Sequence, residues 1–436
     1  CGATYLQWQG QCGSCQAWNS LRELTQTRSK SPDAGSPVKP VKLAELRRQQ
    51  TPRQATGSGE LDRVLGGGVV PGSVVLIGGD PGIGKSTLLL QASATMSEKR
   101  RVVYVSGEES LQQVGLRADR VGADANEIEF VAETCVERLL PILTHIEPDM
   151  VVVDSIQTIY SDAVQSAPGA VSQLRESTAQ LVNFAKSRAS AVLLVGHVTK
   201  EGHIAGPRVL EHMVDTVLYF ENDTGSRFRI IRAIKNRFGA ANEIGVFAMS
   251  ESGLKEVRNP SALFVSQHPK PVAGSLVMVT WEGSRPMLVE VQALVSESAG
   301  SAPRRVASGV EQNRLNLLLA VLHRHGGVPM FNQDVFLNIV GGMKIAETAV
   351  DLPTVLASLS SFRDRPISNK TVAFGEVGLA GEIRPVPFGE ERIRQAATQG
   401  YTKALVPVGN KPKQRIPDIE VIPLERLDQA LDAAGL

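Results

Sequence analysis

The chain of 436 residues carries 46 Lys and Arg against 45 Asp and Glu, a net charge of +1, so any grip on nucleic acid must come from local patches and not from a whole-molecule field. That length predicts about three domains and enough chain to bury a large core. No apolar run approaches the ~18 residues of a membrane span, and no charged-then-apolar leader precedes the first domain, so the expectation is a cytoplasmic protein without a membrane partner.

The chain opens on Cys1 with no methionine, which points to missing upstream residues. Three of its four cysteines crowd this end, at Cys1, Cys12 and Cys15. Cys12-Gly13-Ser14-Cys15 is a C-x₂-C knuckle, and the spacer "YLQWQGQCGSCQAW" is that of a small zinc ribbon, so Cys1, Cys12 and Cys15 are candidate ligands of Zn²⁺ with a further ligand upstream. Ser31, Pro32, Gly35, Ser36, Pro37 and Pro40 then follow closely, which is linker chemistry. The expected division is a zinc module at 1–20, a linker at 21–50, a nucleotide-binding α/β domain at 51–257 and a second α/β domain at 258–436. Cys135, in "AETCVERLL", reads as a core residue on a helical pattern.

The stretch "IGGDPGIGKST" lies between the apolar run "SVVL" and the helical "LLLQASATM". Gly79, Asp80, Pro81, Gly82, Ile83, Gly84, Lys85, Ser86 and Thr87 are the expected nucleotide-binding residues: from Gly79 to Ser86 they fit G-x-x-x-x-G-K-[ST], in which small residues let backbone N–H groups curl round phosphate oxygens. Lys85 is expected to reach the β/γ-phosphates and Ser86 to ligate Mg²⁺, with a helix N-terminus aimed at the same anion. "MVVVDS" sets Asp154 at the end of an apolar strand, where a second Mg²⁺ anchor belongs. "YVSGEES" ends another strand with Glu108 and Glu109; Glu108 is the choice for activating water, and Glu109 is the alternative or a solvated neighbour. In "LLVGHVTKEGHIAGPRV", His197 and Thr199 are candidate γ-phosphate sensors, and Lys200 and Arg208 stand among glycines on a loop suited to a DNA backbone.

Short β-branched runs alternate with helical stretches from about Leu61 to Val257, the pattern of a mostly parallel sheet with late antiparallel strands. Beyond Arg258 a second α/β pattern begins with "SLVMVTWEG" and "PMLVEVQALV", followed by helices around 312–323 and 352–361.

The opening "CGATYLQWQGQCGSCQAWN", the loop "GGDPGIGKST", "SGEES", "GHVTKEG" and "KNRFG" at residues 235–239 resemble, in this order and over nearly the whole chain, the bacterial RadA (Sms) family of DNA repair proteins. The resemblance implies a zinc module, a RecA-like P-loop ATPase core and a Lon-protease-like C-terminal α/β domain. It also implies a DNA-dependent ATPase of homologous recombination, using ATP/ADP, Mg²⁺ and Zn²⁺. Such a protein assembles as a homo-oligomeric, hexameric ring on single-stranded and branched DNA, acts beside a RecA-type recombinase and promotes branch migration. It places "KNRFG" at the subunit boundary, where Lys235 and Arg237, on a turn after the strand "FRIIRA", are expected to act across to a neighbour's phosphate. Laid on the Lon pattern, the nucleophile position falls near Thr348 and the lysine position near Glu390, and a glutamate cannot supply the neutral amine of a Ser–Lys dyad. Lys344 and Ser358 are the remaining candidates for one. Three readings follow: a DNA-stimulated motor, a nucleotide-switched adaptor recruiting repair factors, and an ATP-dependent protease.

Overall fold

The computed structural model describes residues 10–18, 52–122, 125–197, 207–221, 228–257, 259–266, 268–300 and 302–436. The chain divides into two compact units, Cys1–Thr51 and Pro52–Leu436. In the first unit, Gln11 bridges Trp18 and the Gln16 amide donates to the Cys12 carbonyl at 2.8 Å, closing a tight turn that carries buried Cys12 and exposed Cys15.

The second unit holds two sheets. In the first, β1 (Val74–Gly79), β2 (Val102–Ser106), β3 (Ile128–Val131), β4 (Met150–Asp154), β5 (Ala191–His197) and β6 (Thr216–Glu221) pair in parallel in the order β3-β2-β4-β5-β1-β6. β7 (Phe228–Asn236), β8 (Ile244–Ser250) and β9 (Gly253–Glu256) extend it antiparallel, as the sequence pattern predicts. Strand side chains alternate between faces, so a strand covered on both sides must be apolar throughout. Val75, Ile77, Tyr104, Val152 and Leu193 pack on one face beneath α1 (Gly59–Leu65), α2 (Lys85–Ser97) and α3 (Leu111–Val121). Val74, Leu76, Val103, Val105, Val151 and Val153 pack on the other beneath α4 (Val136–Ile146) and α5 (Val171–Arg188). Serines start two of these helices: Ser58 caps α1, and Ser110 caps α3 in a reciprocal pair with Gln113. Cys135 is fully buried, as expected of a core residue, but it stands at the N-cap of α4 and not inside the helix. A short helix, α6 (Pro207–Glu211), precedes β6.

The second sheet comprises β10 (Ser275–Glu282), β11 (Arg285–Glu297), β12 (Arg305–Ser308), β13 (Gln333–Ile339), β14 (Thr371–Ala373), β17 (Lys403–Pro407) and β18 (Glu420–Leu424). They run in the order β12-β13-β11-β10-β14-β17-β18, and β15 (Glu376–Val377) and β16 (Ile383–Arg384) form a separate pair. Helices α7 (Gln312–His325), α8 (Asp351–Arg363), α9 (Gly389–Thr398) and α10 (Leu427–Ala434) complete this half, with α8 buried from Asp351 to Ser360. Among the described residues, no helix is long and apolar enough to cross a membrane.

The two halves share a core, since Ile244 and Val246 of β8 pack with Val279 and Val289 of the second sheet. Charges cross the same seam. Arg285 donates to both oxygens of Glu60 on α1 at 3.0 and 2.9 Å, and Arg232 of β7 bridges Glu221 and Glu282, each at 2.8 Å. Glu60 also accepts from the Val246 amide at 2.9 Å. Removing one partner of a fully buried pair costs about 3–5 kcal/mol because a charge is left unpaired. For Arg285→Ala we expect a loss of about 2–3 kcal/mol, less than that figure because Arg63 still faces Glu60, read as a fall in the urea midpoint of the whole chain.

Candidate nucleotide-binding site

The loop from Gly79 to Ser86 connects β1 to α2, which begins at Lys85 with Gly84 as its N-cap. Gly82 has φ of +76° with open space where a Cβ would point, so the conformation alone demands glycine there. Gly84 has φ of +116°, and a Cβ would also meet the Met249 Cε at 2.9 Å. These left-handed residues turn the loop so that it feeds the α2 N-terminus, whose unpaired N–H groups form an anion site. Lys85 is buried, and its ammonium donates to the loop's own carbonyls, Gly79 at 2.7 Å and Asp80 at 2.8 Å. Burial lowers its pKa from 10.5 to about 8, against the opposing pull of Asp154, Glu108 and Asp80. A cation held this way by neutral carbonyls fits a site whose polyphosphate supplies the missing negative charge.

The parallel register delivers the other groups to the same edge. Gly79 is paired with His197 on β5, and Asp154 with Ser106 on β2, so the carboxyl ends of β1, β5, β4 and β2 lie side by side. Asp154 is buried, and its Oδ2 accepts from the Tyr104 hydroxyl at 2.6 Å. Ser86 opens α2 beside Lys85, and its hydroxyl with the Asp154 carboxylate offers hard oxygen donors of the kind Mg²⁺ takes. Glu108 lies just past β2 with its carboxylate 3.0 Å from the His197 Nε2 and hydrogen-bonded by the Ser155 hydroxyl. The His197 hydrogen bond is the main cause of a Glu108 pKa of about 2, with Ser155 and Lys85 acting in the same sense against burial. The pair of adjacent carboxylates divides: Glu109 turns away to an ion pair with Arg117 on α3. Sequence reading missed Tyr104 and Ser155. The signals were a lone hydroxyl inside the apolar strand "VVYVS" and a serine directly after the strand-ending aspartate.

The "KNRFG" stretch differs from the expected turn. β7 runs on through Lys235 and Asn236, because these residues pair with Val217 and Thr216 of β6, and only Arg237–Gly239 leave the strand. The Lys235 ammonium donates to the carbonyls of Glu211 at 2.6 Å and Val214 at 2.8 Å, and burial and Arg237 lower its pKa. Arg237 is over half exposed and pairs with Asp215 at 3.0 Å. Thr199, Lys200 and Cys1 lie outside the described residues, as does the side chain of Arg208.

In the C-terminal half, Ser358 is fully buried within α8, Lys344 is exposed on the loop before it, and Thr348 is exposed at the start of the 3-10 turn Thr348–Val350 that leads into α8. Glu390 pairs with Arg394 at 2.5 Å. Between these segments stands an ion pair, Arg392 to both oxygens of Glu347 at 2.8 and 2.6 Å.

Three family models match the chain: an AAA domain at residues 42–203, a rubredoxin metal binding domain at 1–23 and subunit ChlI of Mg-chelatase at 286–410. The fold and its phosphate loop are those of a RecA-like P-loop ATPase, with an N-terminal zinc ribbon and a C-terminal Lon-like domain. The chain is 55% identical over 438 residues to the DNA repair protein RadA of Pseudomonas aeruginosa, which spans 99% of this chain and 97% of that protein. To the RadA proteins of Escherichia coli and Bacillus subtilis it is 52% and 47% identical, in each case over 99% of this chain and 96% of the relative. The chain therefore belongs to the RadA family of DNA repair proteins. The ATPase match implies ATP/ADP and Mg²⁺, and the zinc ribbon implies Zn²⁺, for which the Cys12 and Cys15 thiols on their tight turn have the right donor chemistry and spacing.

Lys85 gives a pH signature. Its folded pKa of about 8 lies below its ordinary 10.5, so between those values the unfolded chain binds more protons and native stability rises with pH. Nucleotide-free wild type should therefore gain on Lys85→Met, on the order of 1–2 kcal/mol after solvent screening, as the pH goes from 8 to 10.5; parallel denaturation midpoints across that window would exclude it.

Proposed function

We propose that this chain is a DNA-stimulated ATP hydrolase of homologous recombination, a homo-oligomeric and hexameric ring that grips single-stranded DNA and drives branch migration beside a RecA-type recombinase. The reading takes residues 1–20 as the zinc module, 21–50 as a linker, 51–257 as the motor and 258–436 as the Lon-like domain. The observation that carries it is the meeting of Lys85, Asp154, Glu108 and His197 at the ends of four adjacent parallel strands. Gly79 to Thr87 hold the phosphates. Mg²⁺, held through Ser86 and Asp154, neutralises charge on the β/γ-phosphates when bound. Glu108 orients a water and takes its proton as the water oxygen bonds to the γ-phosphorus; the bond from that phosphorus to the β–γ bridging oxygen breaks, and ADP and phosphate leave. His197, with Thr199, senses the γ-phosphate, and Lys200 and Arg208 contact DNA. Zn²⁺ is held by Cys1, Cys12 and Cys15 with a ligand from outside these residues.

The expected cation pair of "KNRFG" takes separate tasks in this reading. Arg237, exposed and paired among the described residues with Asp215 alone, acts across the subunit boundary on a neighbour's phosphate, and Lys235 anchors the strand end that carries it. Proteolysis is disfavoured, because Ser358 is fully buried within α8 and Glu390, at the lysine position of the Lon pattern, cannot supply a neutral amine and pairs with Arg394.

ATP turnover with and without single-stranded DNA, beside casein digestion, tests the reading: stimulation without digestion is expected. Lys85→Ala should lower turnover by roughly 10²–10³-fold while the protein stays folded, and wild-type rates in a soluble Lys85→Ala protein would end the assignment. Arg237→Ala should lose DNA-stimulated turnover yet retain nucleotide binding. Mixed with Lys85→Ala subunits that keep Arg237, it should recover hydrolysis at the mixed boundaries; co-assembled rings that stay inactive would show that Arg237 does not act across them.

A further inference from the structure

Tyr104 is the single side chain with a hydroxyl in the middle of a strand that is buried along its whole length. It is fully buried, between β3 and β4, with its ring 5.6 Å from that of Phe130. A phenylalanine would fill the same space without the cost of taking a hydroxyl out of water, so the oxygen needs an explanation beyond packing. The register supplies one. Tyr104 lies opposite Val152, two residues before Asp154 on a parallel neighbour, and side chains two apart share a face. The interval is about 6.6 Å along the strand, which a tyrosine ring and its oxygen bridge and a phenylalanine ring does not. The hydroxyl ends 2.6 Å from the Asp154 Oδ2. Among the described residues it is the one hydrogen-bond donor to that carboxylate. A side chain of this length, with one carboxylate oxygen fixed, cannot rotate freely about its last bond.

We propose that Tyr104 is a positioning residue for the metal site: its hydroxyl fixes the Asp154 carboxylate by one oxygen and so presets the other for the Mg²⁺ that accompanies ATP. The proposal rests on the assignment of Asp154 as a metal-facing residue. Tyr104 does not touch metal or nucleotide; it acts through Asp154. Partners that orient metal ligands in this way are generally worth 10–100-fold in metal affinity.

The test uses the full chain with Tyr104→Phe, with Mn²⁺ as the spectroscopic probe in the presence of ADP. Free Mn²⁺ followed by electron paramagnetic resonance should give a Kd raised roughly 10-fold. The Mg²⁺ concentration for half-maximal ATP turnover should rise in parallel, with the rate at saturating Mg²⁺ and the metal-free affinity for ADP close to wild type. A merely structural tyrosine would lower the melting temperature and leave the metal titration where it was. Asp154→Asn separates the layers of the argument. If Asp154→Asn weakens Mn²⁺ binding and Tyr104→Phe stays within twofold of wild type, the positioning role is wrong and the site assignment stands. If Asp154→Asn itself leaves Mn²⁺ binding unchanged, the site assignment fails first. The double variant gives a check that does not depend on the single one being undisturbed: once Asp154 is neutral, Tyr104→Phe should add nothing to the Mn²⁺ Kd, and an additive loss would overturn the proposal.

Discussion

Parallel pairing of β2, β4, β5 and β1 in that spatial order is the constraint on which the site depends. In a parallel sheet every strand ends at the same edge, so residues far apart in the chain meet there without any loop reaching across. Glu108, Asp154, His197 and the phosphate loop leave neighbouring strands in this way. Antiparallel pairing of any one of the four would send its terminal polar residue to the opposite edge. The apolar layers on both faces hold this arrangement, and each buried strand contributes alternate residues to both.

The cost of the arrangement is concentrated at Lys85. A lysine this buried loses hydration that two carbonyl oxygens and the carboxylates of Asp154, Glu108 and Asp80 only partly replace, and this lowers its pKa. Glu108 shows the reverse: exposed enough to keep water, it is held ionised by His197, Ser155 and the same lysine. The edge thus gathers a buried cation, two carboxylates and a helix N-terminus at one place. Asp154 is the member held in place by a neutral donor, the Tyr104 hydroxyl.

Part of this was legible in the sequence because it is local. A loop whose glycines must take left-handed angles, with a strand before it and a helix after it, carries its geometry in consecutive residues. The strand-ending position of Asp154 was legible for the same reason. What was not legible depends on register between strands. Nothing in "VVYVS" says that Tyr104 lies two residues short of Asp154, because the offset between β2 and β4 is a property of the strand pairing and not of either strand's own residues. The extent of β7 was hidden likewise: Lys235 and Asn236 look like the start of a turn, since polar residues break the apolar run, but β6 offers them backbone partners. The Arg237–Asp215 pair joins residues 22 apart across that strand pairing.

The same long-range logic explains why α1, only seven residues long, matters to the far side of the molecule. At its start Glu60 is clamped by Arg285 of β11 and by the Val246 amide. At its end the Val64 carbonyl accepts from the Asn236 amide group at 3.0 Å, and a Cβ added at Gly239 would lie 2.7 Å from the Gly66 Cα. Arg53 closes the contact by donating to the Phe238 carbonyl at 2.6 Å. Two glycines are required because two backbones touch, one at the helix stop and one in the turn. A short helix pinned at both ends transmits position as a rigid body, so the turn bearing Arg237 is registered not only to its own sheet but, through α1, to the first long hairpin of the C-terminal half. The ion pair at one end of the helix and the glycine contact at the other are therefore parts of one support, and the Lon-like half, whatever its surface does, has a structural hold on the motif that leaves the ATPase sheet.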